Sequence, residues 1–180
     1  METSEQLSYD RFIALATERY SCREFLPSAQ ISDEIIKEVI EAARLAPSAC
    51  NRQPWTFIAV RDIETRSKIL SKSRPAFLEA PVVIVACGHH ETAWHRPADN
   101  KDHTDVDLSI AIEHICLAAA SMGLRTCWVC SFDVEATCRA LGLPDGVEPI
   151  ALIPLGYSKD HSIPAKIRKP LDEILRWEKY

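Results

Sequence analysis

The stretch S-D-E-I-I-K-E-V-I-E-A-A-R-L-A-P-S-A-C-N-R-Q-P-W-T-F-I-A-V, residues 32–60, predicts a helix, a tight loop and a strand in immediate succession. Ser32 is a favoured N-cap, and apolar residues recur with helical spacing from Ile35 to Ala43. Pro47 marks the end of the helix, and the aromatic and β-branched run Trp55–Val60 is typical of a strand. This order indicates a domain in which helices pack against a sheet.

The same criteria, applied outward, predict the other elements of the chain. Helices are expected at Tyr9–Arg19, Thr65–Leu70, Val106–Ser121 and Asp133–Leu141, strands at Pro81–Cys87, Thr126–Cys130 and Val147–Leu155, and a short helix or a tail at Leu171–Trp177. Residues 1–180 contain no repeat and no linker rich in Gly, Ser or Pro, so we expect a single domain. Helices come first and then alternate with strands, which predicts a three-layer helix–sheet–helix α/β (α+β) domain.

The predicted helix Val106–Ser121 is apolar on almost every side. Such a helix must be buried all round, which a domain of this size rarely achieves alone. We therefore expect a second subunit to cover part of it, with Ile112 and Ile115 at the dimer interface.

Composition excludes several classes of protein. The 180 residues carry a net charge of −5 and are 47% hydrophobic. No basic footprint for nucleic acid or anionic lipid is present. No apolar run approaches the roughly 18 residues of a membrane span, and the polar, acidic N-terminus does not resemble a signal peptide. Seven cysteines, an odd number, favour free thiols in a reducing compartment. The expected location is the cytoplasm.

Two basic clusters could bind a phosphate. In the segment R-Y-S-C-R, extended geometry would point Arg19, Ser21 and Arg23 the same way. In K-I-R-K-P, Lys166 and Arg168 would share one side in the same manner. Guanidinium and ammonium groups suit phosphate oxygens. Taken alone, each cluster is more often a solvated patch of surface charge.

The loop A-P-S-A-C-N-R-Q-P-W, residues 46–55, offers a third candidate site. It presents backbone N–H groups, the Ser48 hydroxyl, and the side-chain amides of Asn51 and Gln53. An amide both donates and accepts hydrogen bonds, so it can match the edge of a heterocycle. The alternative is a helix-to-strand turn whose polar side chains bond to their own backbone.

Four sequence blocks occur in a fixed order: R-Y-S-x-R; A-A-R-x-A-P-S-A-x-N-x-Q-P-W; G-L-x-T-C-W; and L-G-Y followed by K-x-R-K-P-L. Together they resemble the FMN-dependent nitroreductase family, in particular its short members, over roughly Arg19 to Leu171. The resemblance implies a nitroreductase-like fold with a mainly antiparallel central sheet. It also implies a homodimer with two FMN sites, each built from both subunits.

The resemblance also implies roles for particular residues. Arg19, Ser21 and Arg23 match the first flavin-binding segment, in which Tyr20 contributes mainly its backbone, and Lys166 and Arg168 match the C-terminal phosphate-binding pair. The loop that reaches the flavin from the partner subunit is matched by Pro47, Ser48, Ala49 and Asn51, and the segment along the ring by Trp128, Val129, Cys130 and Ser131. No side chain is expected to act as nucleophile or base, since the flavin carries the chemistry.

Two positions depart from the family pattern. Cys130-Ser131 stands where short members often have Gly-Ala, so a thiol would lie near the flavin. The asparagine that longer members place near the ring has no clear match, and Ser73 is the nearest candidate.

Other chemical readings compete for the remaining motifs. Cys127 and Cys130 form a C-x-x-C, but the motif is predicted as strand, where positions i and i+3 face opposite sides, and packing is the favoured role. His89, His90, His95 and His103 cluster with Asp99, Asp102, Asp105 and Asp107, yet their spacing matches no metal motif, so no metal is expected. By analogy with family loops, Trp94–Lys101 either borders the flavin and screens substrates or is an ordinary surface loop.

The function expected from this resemblance is an oxidoreductase. It would take hydride from NAD(P)H and pass electrons to nitroaromatics, quinones or similar flat acceptors by a ping-pong mechanism. Arg19 and Arg23 are candidates to stabilise the charge that reduction places on the ring. Two alternatives stay open: a flavin store or sensor without turnover, and a related flavoenzyme reaction such as reductive dehalogenation.

Overall fold

Four antiparallel strands form one sheet with the order β1-β2-β4-β3. The structure, a computed structural model, describes residues 4–160 and 162–180. The strands are β1 (Trp55–Val60), β2 (Val82–His89), β3 (Arg125–Thr126) and β4 (Val147–Gly156). The predicted mainly antiparallel sheet is confirmed.

Six α-helices surround the sheet in the described part of the chain. They are α1 (Ser4–Glu18), α2 (Asp33–Arg44), α3 (Ile63–Ile69), α4 (Thr104–Ser121), α5 (Val134–Leu141) and α6 (Leu171–Ile174). Local chemistry sets several of their ends. The side chain of Ser32 caps α2, that of Asp133 caps α5, and Gly142 ends α5 in the left-handed conformation with φ 63°.

Helices α2 and α4 pack on one face of the sheet, and α3 and α5 pack on the other. Strand β2 is buried on both faces and sends alternate side chains into two separate cores. Val82, Ile84 and Ala86 pack with α2 and α4, whereas Val83, Val85 and Cys87 pack with α3 and the Pro75–Glu79 turn. The predicted three-layer helix–sheet–helix arrangement is confirmed.

Several boundaries differ from the prediction. Helix α1 begins at Ser4 rather than Tyr9, and α6 covers only the start of the predicted Leu171–Trp177 segment. The strand expected at Thr126–Cys130 is reduced to Arg125–Thr126, followed by a single bridge between Val129 and Leu152. The reason lies in β4. Cys127 N–H donates to the carbonyl of Pro154, but proline has no N–H to return the bond.

The expectation that Ile112 and Ile115 lie at a subunit interface is wrong. Both are fully buried within the chain, in the core formed by α2, α4 and the sheet. The apolar residues of α4 that the chain leaves uncovered are Val106, which is 44% exposed, and Ile110, which is 37% exposed. When apolar residues occur on all sides of a helix, the sequence does not show which side is buried within its own domain.

Arg66 is a buried cation whose replacement should destabilise the fold. Its guanidinium donates to the carbonyls of Arg61, Leu78 and Ala80 and so ties α3 to the turn before β2. We expect Arg66→Ala to lower the free energy of unfolding by about 2–4 kcal/mol, because one buried and two partly buried carbonyls lose a charged donor. Urea unfolding measures this. The control Lys68→Ala, on the exposed side of α3, should change stability by no more than about 0.5 kcal/mol.

Candidate functional site

The two basic clusters meet in one cavity of about 360 Å³. The segment after α1 contributes Arg19, Tyr20, Ser21 and Arg23, and the C-terminal tail contributes residues 164–168, including Lys166 and Arg168. These segments stand at opposite ends of the chain, and the fold brings them side by side.

The sheet edge positions the first of these segments. Ser21 forms a parallel bridge with Thr126 of β3, and Cys22 N–H donates to the Thr126 carbonyl at 2.9 Å. The guanidinium carbon of Arg125 lies over the Tyr20 ring, 5.5 Å from the centroid of that ring. Tyr20 also donates its hydroxyl to Ser158 Oγ at 3.2 Å. The side chain of Tyr20 is therefore held by structural contacts, and the residue lines the cavity between Arg19 and Ser21.

The tail closes the cavity from the other side. Lys166 Nζ donates to the carbonyl of Ala16 in the last turn of α1, where a cation is favoured by the helix dipole. The Arg168 and Arg23 guanidinium groups each bond to nearby backbone carbonyls, Ile167 and Ser21 respectively. Of the four cations that line this cavity, Arg19 is ion-paired in the structure: its Nε lies 3.3 Å from Oε1 of Glu113.

The electrostatics of this cavity favour an anion. Burial lowers the pKa of Lys166, and repulsion from Arg19 and Arg168 lowers it further. Burial is the larger cause, and the repulsion from the two arginines adds to it because positive charge is concentrated around this cavity. Four cations around one cavity fit a dianionic phosphate group, which would neutralise that excess.

A second cavity, of about 340 Å³, adjoins the first. Arg23 lines both cavities. The remaining lining residues are Lys72, Ser73, Arg74, Phe77, Cys127, Trp128, Val129, Cys130 and Ser131. Ser73 Oγ donates to the Ser131 carbonyl at 2.7 Å and so joins the two walls.

The sequence analysis missed Lys72 and Arg74 in this second cavity. A signal was present, since K-S-R directly precedes Pro75, at the start of a turn leading into β2. Without the neighbouring wall, these two exposed cations resemble ordinary surface charge. The fold places them beside Trp128 and Cys130, and so gives the cavity a second positive end.

The Pro47–Gln53 loop lies apart from both cavities. Pro47, Ser48, Ala49 and Asn51 line neither of them. The loop is internally bonded: Ser48 Oγ accepts from Gln53 N–H at 2.9 Å, and Gln53 Nε2 donates to Asn51 Oδ1 at 3.1 Å. Within one chain, therefore, the fold assembles the two basic clusters and the Trp128–Ser131 segment but not this loop.

The loop has an unusual backbone. Cys50, Asn51 and Gln53 have φ values of 51°, 54° and 49°, in the left-handed region. Each such non-glycine residue costs on the order of 1 kcal/mol. Three of them in four residues must be held by the surrounding contacts, so the shape of the loop is imposed on it.

The two thiols of the C-x-x-C motif lie in different environments. Cys127 is buried, and burial raises the pKa of its thiol, whereas Cys130 is exposed at the second cavity. Neither is in a disulfide; all seven cysteines are free. The two side chains do not form a pair.

The histidine segment folds back on itself through backbone hydrogen bonds. Arg96 N–H donates to the Lys101 carbonyl at 3.0 Å, and His103 N–H donates to the Trp94 carbonyl at 3.1 Å. The Trp94–Lys101 loop lines neither cavity, but its neighbour Thr92 accepts from Arg52 Nη1 at 3.3 Å. The Trp94–Lys101 loop therefore lies beside the Pro47–Gln53 loop.

Among the described residues, no group of three His, Cys, Asp or Glu side chains is arranged to hold a metal ion.

His90 links this segment to the sheet through two carboxyl groups. Its Nδ1 lies 2.6 Å from Asp102 and its Nε2 lies 2.8 Å from Glu148. The hydrogen bond with Asp102 is the main cause of the raised pKa of His90. Burial disfavours the charged form of Asp102, but hydrogen bonds from Thr104 and His90 outweigh it and lower the pKa of Asp102 to about 2.

The stabilisation from His90 should depend on pH. It is fully present below the unfolded pKa of histidine, about 6.5, and is lost as the pH rises through the raised folded value. We expect His90→Gln to cost about 0.5–1 kcal/mol more at about pH 5.5 than at about pH 8.5, a modest difference because the ring is partly exposed. Urea unfolding of both proteins at the two pH values measures it. An equal cost at both would contradict a charged bridge.

None of the helices in the described part of the chain has the length and apolarity that crossing a membrane requires.

Comparison with known proteins gives the class to which this fold and site belong. The model of the nitroreductase family matches residues 16–79 and 70–157, and the chain belongs to that family. A relative from Archaeoglobus fulgidus, named "Putative NADH dehydrogenase/NAD(P)H nitroreductase", is 38% identical over 73% of this chain and 76% of its own. Mouse iodotyrosine deiodinase 1 is 28% identical over 97% of this chain and 72% of its own.

Solved structures agree with this membership. A nitroreductase family protein from Clostridium difficile 630 superposes with a TM-score of 0.84 at 34% identity, covering 94% of this chain and 99% of that one. A structure from Exiguobacterium sibiricum, solved in complex with FMN, has a TM-score of 0.82 at 21% identity, covering 93% and 97% of the two chains. The second likeness is one of fold.

Proposed function

We propose that the protein is an FMN-dependent oxidoreductase that takes hydride from NAD(P)H and reduces nitroaromatic, quinone or similar flat, electron-poor acceptors by a ping-pong mechanism. The observation that carries the proposal is the pair of adjoining cavities joined at Arg23. One has the charge for a phosphate, and the other has an aromatic and polar wall of suitable size for a ring. Membership of the nitroreductase family and the FMN-bound structural relative support the choice of cofactor.

The residues divide into two groups in this proposal. Arg19, Ser21, Arg23, Lys166 and Arg168 would hold the phosphate, with Tyr20 supplying backbone between them. Trp128, Val129 and Cys130 would lie along one side of the ring. Bound FMN supplies the redox chemistry, accepting hydride from one substrate and passing electrons to the next. The chain orients both substrates at one place and needs no nucleophile of its own.

Cations in the second cavity would contribute to electron transfer. Arg23, Lys72 and Arg74 line it, and among the residues that the structure describes no carboxylate does. Positive groups placed in advance stabilise negative charge that develops during reduction, at no cost in reorganisation. Arg19 is less available for this role, because it pairs with Glu113.

The working form in this proposal is a homodimer. Pro47, Ser48, Ala49 and Asn51 lie away from the cavities of their own chain and would meet the FMN of the partner subunit. The neighbouring Trp94–Lys101 loop would then border that same ring and screen acceptors. An apolar depression of about 310 Å³ lies next to the Pro47–Gln53 loop. It is lined by Leu15 of α1, Leu45 at the end of α2 and Leu117 of α4, which supports an interface there.

The seven free thiols support a cytoplasmic location.

Two measurements test this function. The absorption spectrum of the purified or FMN-reconstituted protein should show flavin bands that co-elute with the protein and are released on heating as FMN. Steady-state oxidation of NADH and NADPH with menadione and a nitroaromatic should then give parallel double-reciprocal plots. Bound FMN with no turnover would favour a flavin store or sensor, and a protein that never takes up FMN would contradict the proposal.

A second candidate reaction is reductive dehalogenation. It is favoured by the likeness to iodotyrosine deiodinase 1, which spans 97% of this chain. The cations Lys72 and Arg74 would suit an aromatic substrate that is also anionic. Supplying the pre-reduced protein with iodotyrosine or with menadione, and comparing the rates of reoxidation, separates the two: faster reoxidation by iodotyrosine with release of iodide would select dehalogenation.

A further inference from the structure

Asp107 is a buried carboxyl group with one unsatisfied oxygen. It lies in the first turns of α4 and is 2% exposed. Its Oδ1 accepts a hydrogen bond from Ala49 N–H at 3.0 Å, whereas its Oδ2 has no hydrogen-bond partner among the residues that the structure describes. An unpaired buried polar atom disfavours folding. The stability of the fold alone therefore does not explain an aspartate at position 107.

The partner of Asp107 is the strained loop. Ala49 N–H belongs to Pro47–Gln53, directly before the left-handed residues Cys50 and Asn51. The bond fixes the beginning of that strained stretch to α4, a long helix packed in the core. Of the other bonds of the loop described above, those of Gln53 run within it and that of Arg52 goes to Thr92, so none of them sets its position relative to the helix. The Asp107 bond does so.

We propose that Asp107 is a positioning residue that holds the Pro47–Gln53 loop so that Asn51 is presented to the FMN of the partner subunit, at the expense of the stability of the chain. This inference rests on the proposed function for the identity of the ligand. The link between Asp107 and the conformation of the loop stands on the geometry of the single chain.

Two variants separate positioning from a structural role. Asp107→Leu removes the acceptor and keeps a similar volume, whereas Asp107→Asn keeps an oxygen that can accept from Ala49 N–H. For each, we would measure hydrogen exchange of the loop amides without FMN, the urea midpoint of unfolding, and FMN affinity by fluorescence. Asp105→Leu, on the exposed side of the same turn, is the matched control.

We expect Asp107→Leu to unfold at the same urea concentration as the wild type or a higher one, because removal of the unpaired buried oxygen offsets the loss of the hydrogen bond from Ala49 N–H. Exchange of the Ala49 amide should accelerate by about tenfold or more, and the Kd for FMN should rise by about ten- to a hundredfold. Asp107→Asn should restore both properties to within about threefold of the wild type, and the control should change neither. If leucine is not accommodated, Asp107→Ala serves for the same three readouts.

The opposite pattern would overturn the inference. A lower urea midpoint together with wild-type exchange and wild-type FMN affinity would make Asp107 a structural residue only. Failure of the proposed function looks different, since the wild-type protein itself would then not bind FMN. In that event the exchange of the Ala49 amide still decides whether Asp107 holds the loop.

Discussion

Replacing Val106 and Ile110 together by aspartate should convert the proposed homodimer to monomers and weaken FMN binding by about a hundredfold or more. These are the apolar residues of α4 that the chain leaves uncovered, at 44% and 37% exposure. In an interface, each aspartate would bury a charge without a partner, which costs several kcal/mol. Flavin binding should fail at the same time, because the Pro47–Gln53 loop lines neither cavity of its own chain. Size-exclusion chromatography with light scattering, followed by FMN titration, measures both effects.

Two controls define that result. Ile63→Asp places the same charge on an exposed apolar residue of α3, in the helical layer on the other face of the sheet, and should leave both the proposed dimer and FMN binding intact. Ile112→Asp should instead unfold the chain, since Ile112 is fully buried within it. A monomeric Val106→Asp/Ile110→Asp variant that binds FMN with wild-type affinity would refute a site shared between subunits.

The second large effect is expected from the C-terminal cations. Lys166→Ala combined with Arg168→Ala should raise the Kd for FMN by about 10²–10⁴, since each charge-assisted hydrogen bond to a phosphate is worth about 1.5–3 kcal/mol. Arg168→Ala alone should account for about ten- to a hundredfold. Both residues line the cavity in which Arg19 and Arg23 also lie. Fluorescence titration with FMN and with riboflavin is the measurement.

Riboflavin provides the internal comparison, because it has the ring without the phosphate. The double variant should bind riboflavin as the wild type does, so the loss should be specific to the phosphate. Lys169→Ala removes one positive charge, as Arg168→Ala does, from the same tail at a residue that lines neither cavity, and should change the Kd for FMN by less than about threefold. An unchanged affinity in the double variant would show that the phosphate lies elsewhere.

Much of the fold follows from local chemistry. Ser32, Asp133 and Gly142 set helix ends by rules that act within a few residues, and β1 occupies the predicted Trp55–Val60. The strand near Thr126 could not be delimited in this way. Its pairing is interrupted by Pro154, a residue of another strand that becomes its neighbour only in the folded sheet.

The candidate site likewise combines residues that could be predicted from the sequence with residues whose place depends on the folded chain. The Arg19–Arg23 and Lys166–Arg168 clusters were expected to act together on the basis of family resemblance, and the fold places them around one cavity. The K-S-R that contains Lys72 and Arg74 looks in the sequence like ordinary surface charge, because its position depends on how the turn before β2 meets the Trp128–Ser131 segment. The buried side of α4 likewise depends on tertiary packing, so Ile112 and Ile115 could not be told from Val106 and Ile110 by hydrophobicity.

The adjoining cavities concentrate six cations, Arg19, Arg23, Lys72, Arg74, Lys166 and Arg168, on a chain whose net charge is −5. A small positive region on an otherwise negative surface focuses the electric field at its own opening. At physiological ionic strength that field reaches roughly 8 Å into solvent before it is screened. The approach of an anion is therefore guided toward the opening and opposed over most of the remaining surface, so the fold influences the encounter with its ligand before the two make contact.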